Sequence, residues 1–170
     1  MRVGILTISD TCANDASADR SGPELRKCLQ ETEQFKDCTF ESGIVSDDVE
    51  KIERWLREHL ESTDFILTTG GTGFSHRDVT PEATRRVIER SCPGIVVALL
   101  QSSLNQTPLA ALSRQEAGIA GRCLIINLPG SVKACRESIP VLVPILPHAV
   151  SLLRNDLNEI RSVHESEQKK

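Results

Sequence analysis

The chain has 170 residues, of which 39% are hydrophobic and 26% are charged, and its formal net charge at pH 7 is −4. A length near the usual domain size predicts one domain around a single core. The lysine and arginine residues form no cluster that could neutralise a run of phosphates, which argues against a nucleic-acid partner. The apolar runs stay far below the roughly 20 residues of a membrane span. The opening segment MRVGILTISD lacks the features of a secretory signal, so we expect a cytoplasmic protein with no membrane span.

The six cysteines and four histidines are scattered along the chain. No CxxC pair and no HExxH pair occurs, so the spacing favours neither a zinc site nor a redox couple, and we expect reduced, buried thiols. In an acidic chain, an anionic ligand must be held by local devices: helix N-termini, backbone N–H groups or a bound cation. Single arginines could also serve, and the candidates are Arg20, Arg77 and Arg114.

The first half of the chain alternates short apolar runs with helical patterns. Residues 3–8 are apolar and β-rich, which predicts a buried strand that ends in a polar loop. Ser21 can cap a helix, and residues 38–45 predict a second strand. A helix then begins at Asp47 or Asp48, with apolar residues at steps of three and four, so one face of it should pack on a sheet.

The second half continues the same alternation. Residues 64–69 predict a third strand that runs into the sequence GGTG. The Thr80–Pro81 pair suits the N-cap and first turn of a helix over residues 82–90. Residues 123–127 predict a fourth strand, which LPGS ends, and Ser131 can cap the helix that follows.

Alternating strands and helices of this size predict an α/β fold with three layers, in which helices cover both faces of a mostly parallel sheet. Residues 144–160 have a helical pattern, and residues 161–170 lose all apolar periodicity. We therefore predict one domain over residues 1–160. The polar tail, residues 161–170, is a possible linker to another domain of a longer protein.

Three segments follow predicted strands and should carry the chemistry: residues 9–20, 70–78 and 127–131. In open α/β sheets, ligands bind at the carboxyl ends of the strands, where loops meet helix N-termini. The GGTG segment lacks three Cβ atoms, so it can approach a phosphate or a ribose closely, although a tight turn alone would also explain the glycines. It is neither a GxGxxG motif nor a P-loop, because no GK[ST] follows.

Two acids lie beside these segments. Asp47 follows the second strand and Asp78 follows the glycine loop. Each could cap a helix or a turn, which is the commoner role, and each could instead hold a cation. If the fold brought Asp47 and Asp78 together, a cation site would be favoured over two separate caps.

Three long segments, TTGGTGFSHRDVTPEAT, SLNQTPLAALSR and LIINLPGS, resemble in order and spacing the MogA and gephyrin G-domain family of molybdenum-cofactor adenylyltransferases. The resemblance extends from Val3 to about Arg154. The same fold occurs in MoaB-like proteins and in one domain of the molybdenum insertases. The resemblance implies a homotrimeric enzyme that binds molybdopterin and Mg-ATP, adenylates the molybdopterin phosphate and releases pyrophosphate. A downstream molybdenum-insertase domain is a possible addition in a longer protein.

The resemblance also implies roles for particular residues. Asp47 and Asp78 match the family's catalytic acids, and we expect them to hold Mg²⁺. Ser103 and Ser113 match serines that the family associates with the pterin. The residues that match its nucleotide-binding turns are Gly70, Gly71, Thr72, Gly73, Pro129, Gly130 and Ser131.

Two positions depart from the family pattern. Ser46 and His76 stand where the family commonly has proline. Proline fixes φ and removes about 0.4–1 kcal/mol of unfolded-state freedom, so the stiffness of these two loops is expected to differ. Neither position carries a proposed catalytic group, so the reaction itself is expected to stay the same.

Three other functions fit parts of the pattern. The main alternative is a non-catalytic, trimerising pterin-binding module of a gephyrin-like scaffold protein. A second is a pterin-binding protein that carries or inserts molybdenum without adenylating anything. A generic nucleotide-binding α/β protein is the third. Pyrophosphate release from ATP discriminates the enzyme from the first two.

Overall fold

One six-stranded sheet forms the centre of the computed structural model, which describes residues 1–155. The strand order is β2-β1-β3-β6-β5-β4. Strands β2, β1, β3 and β6 are parallel, whereas β5 and β4 are antiparallel to their neighbours. The strands are β1 Arg2–Ile8, β2 Thr39–Val45, β3 Phe65–Thr69, β4 Arg90–Ser91, β5 Ala117–Ala120 and β6 Cys123–Leu128.

Helices cover both faces of this sheet. Helices α2, α5, α6 and α7 pack on one face, and α3 and α4 pack on the other, so the predicted three-layer α/β fold is confirmed. Short 3₁₀ turns occur at Ala16–Ala18, Glu33–Phe35 and Pro108–Leu112. The helices are α1 Asp10–Asn14, α2 Ser21–Gln30, α3 Val49–His59, α4 Thr80–Arg85, α5 Pro93–Leu104, α6 Val132–Leu142 and α7 Leu146–Arg154.

The central strands are apolar because both of their faces are buried. Successive side chains of a strand point to opposite faces. Phe65 and Leu67 therefore join the core under α2 and α6, while Ile66 between them joins the core under α3. All residues of β3 and β6 are buried, as expected for strands that are covered on both sides.

Several predicted helix starts are confirmed or shifted by one residue. Ser131 caps α6, since its hydroxyl accepts a hydrogen bond from the Ala134 N–H at 3.1 Å. Asp48 caps α3 in the same way, accepting from the Lys51 N–H at 3.0 Å, so a cap at Asp47 is wrong. Ser21 is the first residue of α2 and follows the N-cap position.

Helix α4 differs more from its prediction. Thr80 lies inside the helix, after an N-cap at Val79, and its hydroxyl donates to the Gly70 carbonyl at 2.8 Å. The helix ends at Arg85, because the chain then turns to place β4 against β5. Among residues 1–155, no helix has the length and apolarity to cross a bilayer. The end of the last predicted helix, after residue 155, and the predicted tail lie outside the described residues.

Candidate active site

The predicted loops meet because neighbouring parallel strands end at the same level. Thr7 in β1 pairs with Thr69 in β3, which pairs with Leu128 in β6. The loops after these strands line one cleft of about 500 Å³ at the carboxyl edge of the sheet. Its lining includes Ser9, Arg20, Asp47, Gly70, Gly71, Asp78, Gly130 and Ser131.

The glycine loop at the cleft needs glycine at two positions for its backbone. Gly70 and Gly71 have φ values of 102° and 63°, which residues with a Cβ rarely adopt. A Cβ atom on Gly70 would lie 2.2 Å from the Ile8 carbonyl oxygen, and one on Gly71 would lie 3.0 Å from Asp47 Oδ1. The turn therefore explains these two glycines, and their role in ligand binding stays a prediction.

The second glycine turn packs directly against the first. A Cβ atom on Gly130 would lie 3.1 Å from the Gly70 Cα, so the two backbones are in close contact. Thr69 Oγ1 donates to the Pro129 carbonyl at 2.9 Å and fixes the start of this turn. The backbone of both turns is thus presented to one cleft.

The Asp47 carboxylate is tied to the first loop. Asp47 Oδ2 accepts from the Asp10 N–H at 2.8 Å, and Asp10 Oδ1 accepts from the Asp47 N–H at 3.1 Å. No donor among residues 1–155 is hydrogen-bonded to Asp47 Oδ1. Burial, and the nearby charges of Asp10 and Asp78, raise the pKa of the Asp47 carboxyl above its ordinary value. When the Asp47 carboxyl is ionised, only Oδ2 accepts a hydrogen bond from the described residues, so part of its negative charge is available to a cation.

Asp10 itself was missed in the sequence analysis. Its carboxylate forms a bidentate ion pair with Arg77, whose Nε donates to Asp10 Oδ2 at 3.0 Å and whose Nη2 donates to Asp10 Oδ1 at 2.9 Å. The Arg77 guanidinium lowers the pKa of the Asp10 carboxyl. The available signal was the position of Asp10 directly after the first strand, where an acid can face the cleft.

Asp78 lies on the same cleft and also caps a turn. Its Oδ2 accepts from the Ser75 N–H at 2.9 Å, so the predicted turn cap is present. The two acids predicted separately thus converge, since both line the cleft and the charge of Asp78 contributes to the raised pKa of Asp47.

The three candidate arginines have different surroundings. Arg77 is engaged with Asp10. Arg114 lies outside the cleft lining and donates to the carbonyls of Gly73 and Asp78. Arg20 lines the cleft, is exposed, and forms no ion pair with the residues that the structure describes. Arg20 is therefore the candidate that is free to meet an anion.

The other predicted residues are not among those that line the cleft: Thr72, Gly73, Ser103, Ser113 and Pro129. Thr72 is buried in the glycine loop, and its carbonyl accepts from the Arg114 N–H at 2.9 Å. This contact brings Ser113 to the glycine loop. Ser113 Oγ is buried and has no hydrogen-bond partner within residues 1–155. Ser103 lies near the end of α5 and is not among the residues that line the cleft.

The donor set fits a hard divalent cation that is shared with a ligand. Within the described part of the chain, no three His, Cys, Asp or Glu side chains are arranged to hold a metal ion. Asp47 and Asp78 nevertheless offer carboxylate oxygens at one cleft. Mg²⁺ is typically held by one or two carboxylates, with water and phosphate oxygens completing its shell.

The chain is similar to known proteins of molybdenum-cofactor biosynthesis. Residues 4–148 match the family model of a probable molybdopterin binding domain. The molybdopterin adenylyltransferase of Helicobacter pylori is 36% identical over 162 residues, which cover 94% of this chain and 92% of that protein. The molybdenum cofactor synthesis protein cinnamon of Drosophila melanogaster is 46% identical over 163 residues, which cover 95% of this chain and 27% of that protein.

Comparison with solved structures identifies the same family. A solved structure of MogA superposes with a TM-score of 0.83 at 34% identity, covering 90% of this chain and 99% of that one. The chain spans about a quarter of the length of the Drosophila relative and nearly all of the Helicobacter one. The resemblance predicted from three sequence segments is confirmed, and the chain belongs to the molybdopterin-binding family of molybdenum-cofactor biosynthesis.

Proposed function

We propose that this chain is a molybdopterin adenylyltransferase, which transfers AMP from ATP to the phosphate of molybdopterin and releases pyrophosphate. The observation that carries the proposal is the convergence of Asp47, Asp78 and both glycine turns at one cleft. A chain with that cleft is 36% identical, over nearly its whole length, to a protein named molybdopterin adenylyltransferase.

The chemistry requires charge compensation more than a strong base. The nucleophile is a phosphate monoester, whose second pKa is about 6, so it is mostly dianionic at neutral pH. One anion must then approach the α-phosphate of another. Asp47 and Asp78 would hold Mg²⁺ at the phosphates, where it would supply positive charge and polarise the reacting group.

The protein's own groups would position the two substrates. Backbone N–H groups of the glycine loop and of the N-terminus of α6, which Ser131 caps, suit phosphate oxygens. Arg20 is available for a further phosphate contact because it has no ion-pair partner in the described chain. The reciprocal bonds between Asp10 and Asp47 would hold the Asp47 carboxylate in place.

Ser113 is the better supported of the two serines for the pterin. Its hydroxyl is buried without a partner, and an unpaired buried hydroxyl typically costs about 1–3 kcal/mol. A polar atom of the pterin that forms a hydrogen bond with the Ser113 hydroxyl would remove that cost. Ser103 rests on the resemblance alone.

We also propose that the chain acts as a homotrimer. Large apolar side chains are exposed on α5 and on the turn after it, including Val97, Leu104, Leu109 and Leu112, which is the composition of a surface that another chain covers. The alternative function is a scaffold module; the similarity to a quarter of a longer Drosophila protein supports only a chain that forms part of a larger protein. The presence of both Asp47 and Asp78 at the cleft favours the enzyme.

Pyrophosphate release from ATP tests the proposal directly. Release should require molybdopterin, Mg²⁺ and Asp78, and Asp78→Asn should lower it by about 10²–10³-fold while the variant still binds the pterin. Asp48→Asn is the matched control, because asparagine caps a helix as well as aspartate does. Pterin binding without release would favour the carrier or scaffold functions, and Mg²⁺-independent release would refute the cation's role.

A further inference from the structure

We propose that Arg114 is a positioning residue that holds the loop from Gly73 to Asp78, and thereby keeps the Asp78 carboxylate at the cleft. This inference rests on the proposed function for its catalytic consequence. Its structural part concerns the loop alone and can be tested without substrates.

Arg114 bonds both ends of the loop. Its Nε donates to the Gly73 carbonyl at 2.8 Å, and its Nη2 donates to the Asp78 carbonyl. Its backbone N–H donates to the Thr72 carbonyl at 2.9 Å. One residue therefore fixes the place where the loop leaves the glycine turn and the place where it returns to α4.

The remaining nitrogen of the guanidinium has an acidic partner. Arg114 Nη1 pairs with Glu82 Oε1 on α4, and the Arg114 side chain is only 31% exposed. The planar guanidinium presents donors in three directions at once, which a lysine ammonium on a single nitrogen does not do in the same fork geometry. The site is thus specific for arginine rather than for any positive charge.

Residues 74–77 of the loop form few other hydrogen bonds or ion pairs with the rest of the described structure. Residues 74–77 are exposed, and the bonds from Ser75 to Asp78 are internal to the loop. In the described structure, one further side-chain contact joins the loop to another segment: the bidentate ion pair of Arg77 with Asp10. This pair joins the loop to the segment after β1, whereas the Arg114 contacts join it to the start of α4 and to the segment before β5.

The arrangement also connects two parts of the proposed site. Arg114 directly follows Ser113, which lies beside the glycine loop and is the better supported pterin residue. A shift of the Ser113 segment would therefore move the donors that hold Asp78. The geometry makes the position of the catalytic acid depend on the segment that we assign to the pterin.

The test compares Arg114→Met with Arg85→Met. Arg85 is the matched control, because it also lies beside Glu82 but bonds no loop carbonyl. In the protein without substrates, amide hydrogen exchange of residues 73–78 should accelerate in Arg114→Met and stay unchanged in Arg85→Met. In the presence of substrates, kcat for pyrophosphate release should fall by about 10–100-fold in Arg114→Met, with KM for ATP changed less than about threefold.

Three results would overturn the inference: unchanged exchange in the loop, faster exchange throughout the molecule, or a raised KM with an unchanged kcat. The last result would make Arg114 a ligand contact. If Arg114→Met does not fold, Arg114→Lys keeps the charge beside Glu82 and loses the fork, and it should show the same local exchange and loss of kcat. Accelerated loop exchange in a chain whose wild type releases no pyrophosphate would refute the proposed function and leave the loop contact standing.

Discussion

The Asp47 carboxylate is half-buried and lies close to two other carboxylates, those of Asp10 and Asp78. Burial and these charges raise its pKa in the folded state. A carboxyl whose pKa is raised on folding binds its proton more tightly in the folded chain, so its ionisation opposes folding. The free energy of unfolding should therefore fall as the pH rises from about 4, the unfolded pKa, through the folded pKa of Asp47.

We predict that Asp47→Asn is more stable than the wild type at pH 7 and nearly inactive. Asparagine can still accept the Asp10 N–H, and it carries no charge. The gain should stay below about 1 kcal/mol, because Asp47 is partly exposed to solvent. For a domain of this size, that is a rise in Tm of up to about 4 °C.

Calorimetry between pH 4.5 and 8 measures this effect. The difference in Tm between Asp47→Asn and the wild type should shrink towards the acid end, where Asp47 in the wild type becomes protonated. Asp48→Asn is the control, since Asp48 is exposed and its cap role survives the change. A lower Tm for Asp47→Asn at every pH would mean that the carboxylate stabilises the loops more than its charge destabilises them.

The glycine loop after β3 contributes Gly70, Gly71 and Asp78 to the lining of the cleft. Alanine at Gly70 would combine a φ of 102° with a Cβ atom 2.2 Å from a backbone oxygen that cannot move freely. A Cβ atom on Gly94, in the first turn of α5, would meet no atom of another part of the protein within 4 Å, and the backbone there is helical. The two substitutions are chemically the same, and only the surroundings differ.

We predict that Gly70→Ala lowers the free energy of unfolding by at least about 2 kcal/mol and abolishes adenylyl transfer. Gly94→Ala should raise stability by about 0.4–1 kcal/mol, because it restricts the unfolded chain, and should leave activity unchanged. Urea denaturation of both variants measures the difference. Equal stability of the two variants would show that the loop can relax, and would weaken the case for a fixed cleft.

The sequence predicted this element and its neighbours because each has a local signal. Strands β1, β3 and β6 are apolar runs that end in polar or glycine-rich loops, and the parallel order of such strands brings those loops together. Helix α5 was not predicted, because its sequence PGIVVALLQSSL is apolar on most sides and lacks the polar face that marks a surface helix. Strands β4 and β5 are too short for periodicity to reveal them.

Contacts between distant residues were beyond the reach of sequence patterns. The ion pair between Asp10 and Arg77 joins residues 67 positions apart, and the Arg114 contacts with the glycine loop depend on where β5 enters the sheet. Spacing therefore identified the acids and the turns. It could not say which of the three candidate arginines is free and which two are already bound.

At the scale of the whole molecule, the cleft and the exposed apolar surface are separate features. The cleft lies where the loops after β1, β3 and β6 meet. The exposed apolar side chains lie on α5 and the turn after it, where Val97 is 61% and Leu109 is 70% exposed. If these side chains form the contact between chains, dissociation should leave each cleft with all of its own residues.

We predict that the wild type sediments with three times the 18.7 kDa mass of one chain, and that Val97→Glu combined with Leu109→Glu gives a monomer, because burying an unpaired carboxylate at an apolar contact is strongly unfavourable. Glu50→Lys, on the helix layer at the other face of the sheet, is the control and should remain trimeric. Analytical ultracentrifugation measures the mass, and ATP binding measures the cleft. A monomer that still binds ATP would place the contact on α5 and the site within one chain. Loss of ATP binding on dissociation would instead mean that a neighbouring chain completes the cleft, and an unchanged trimer would exclude α5 from the contact.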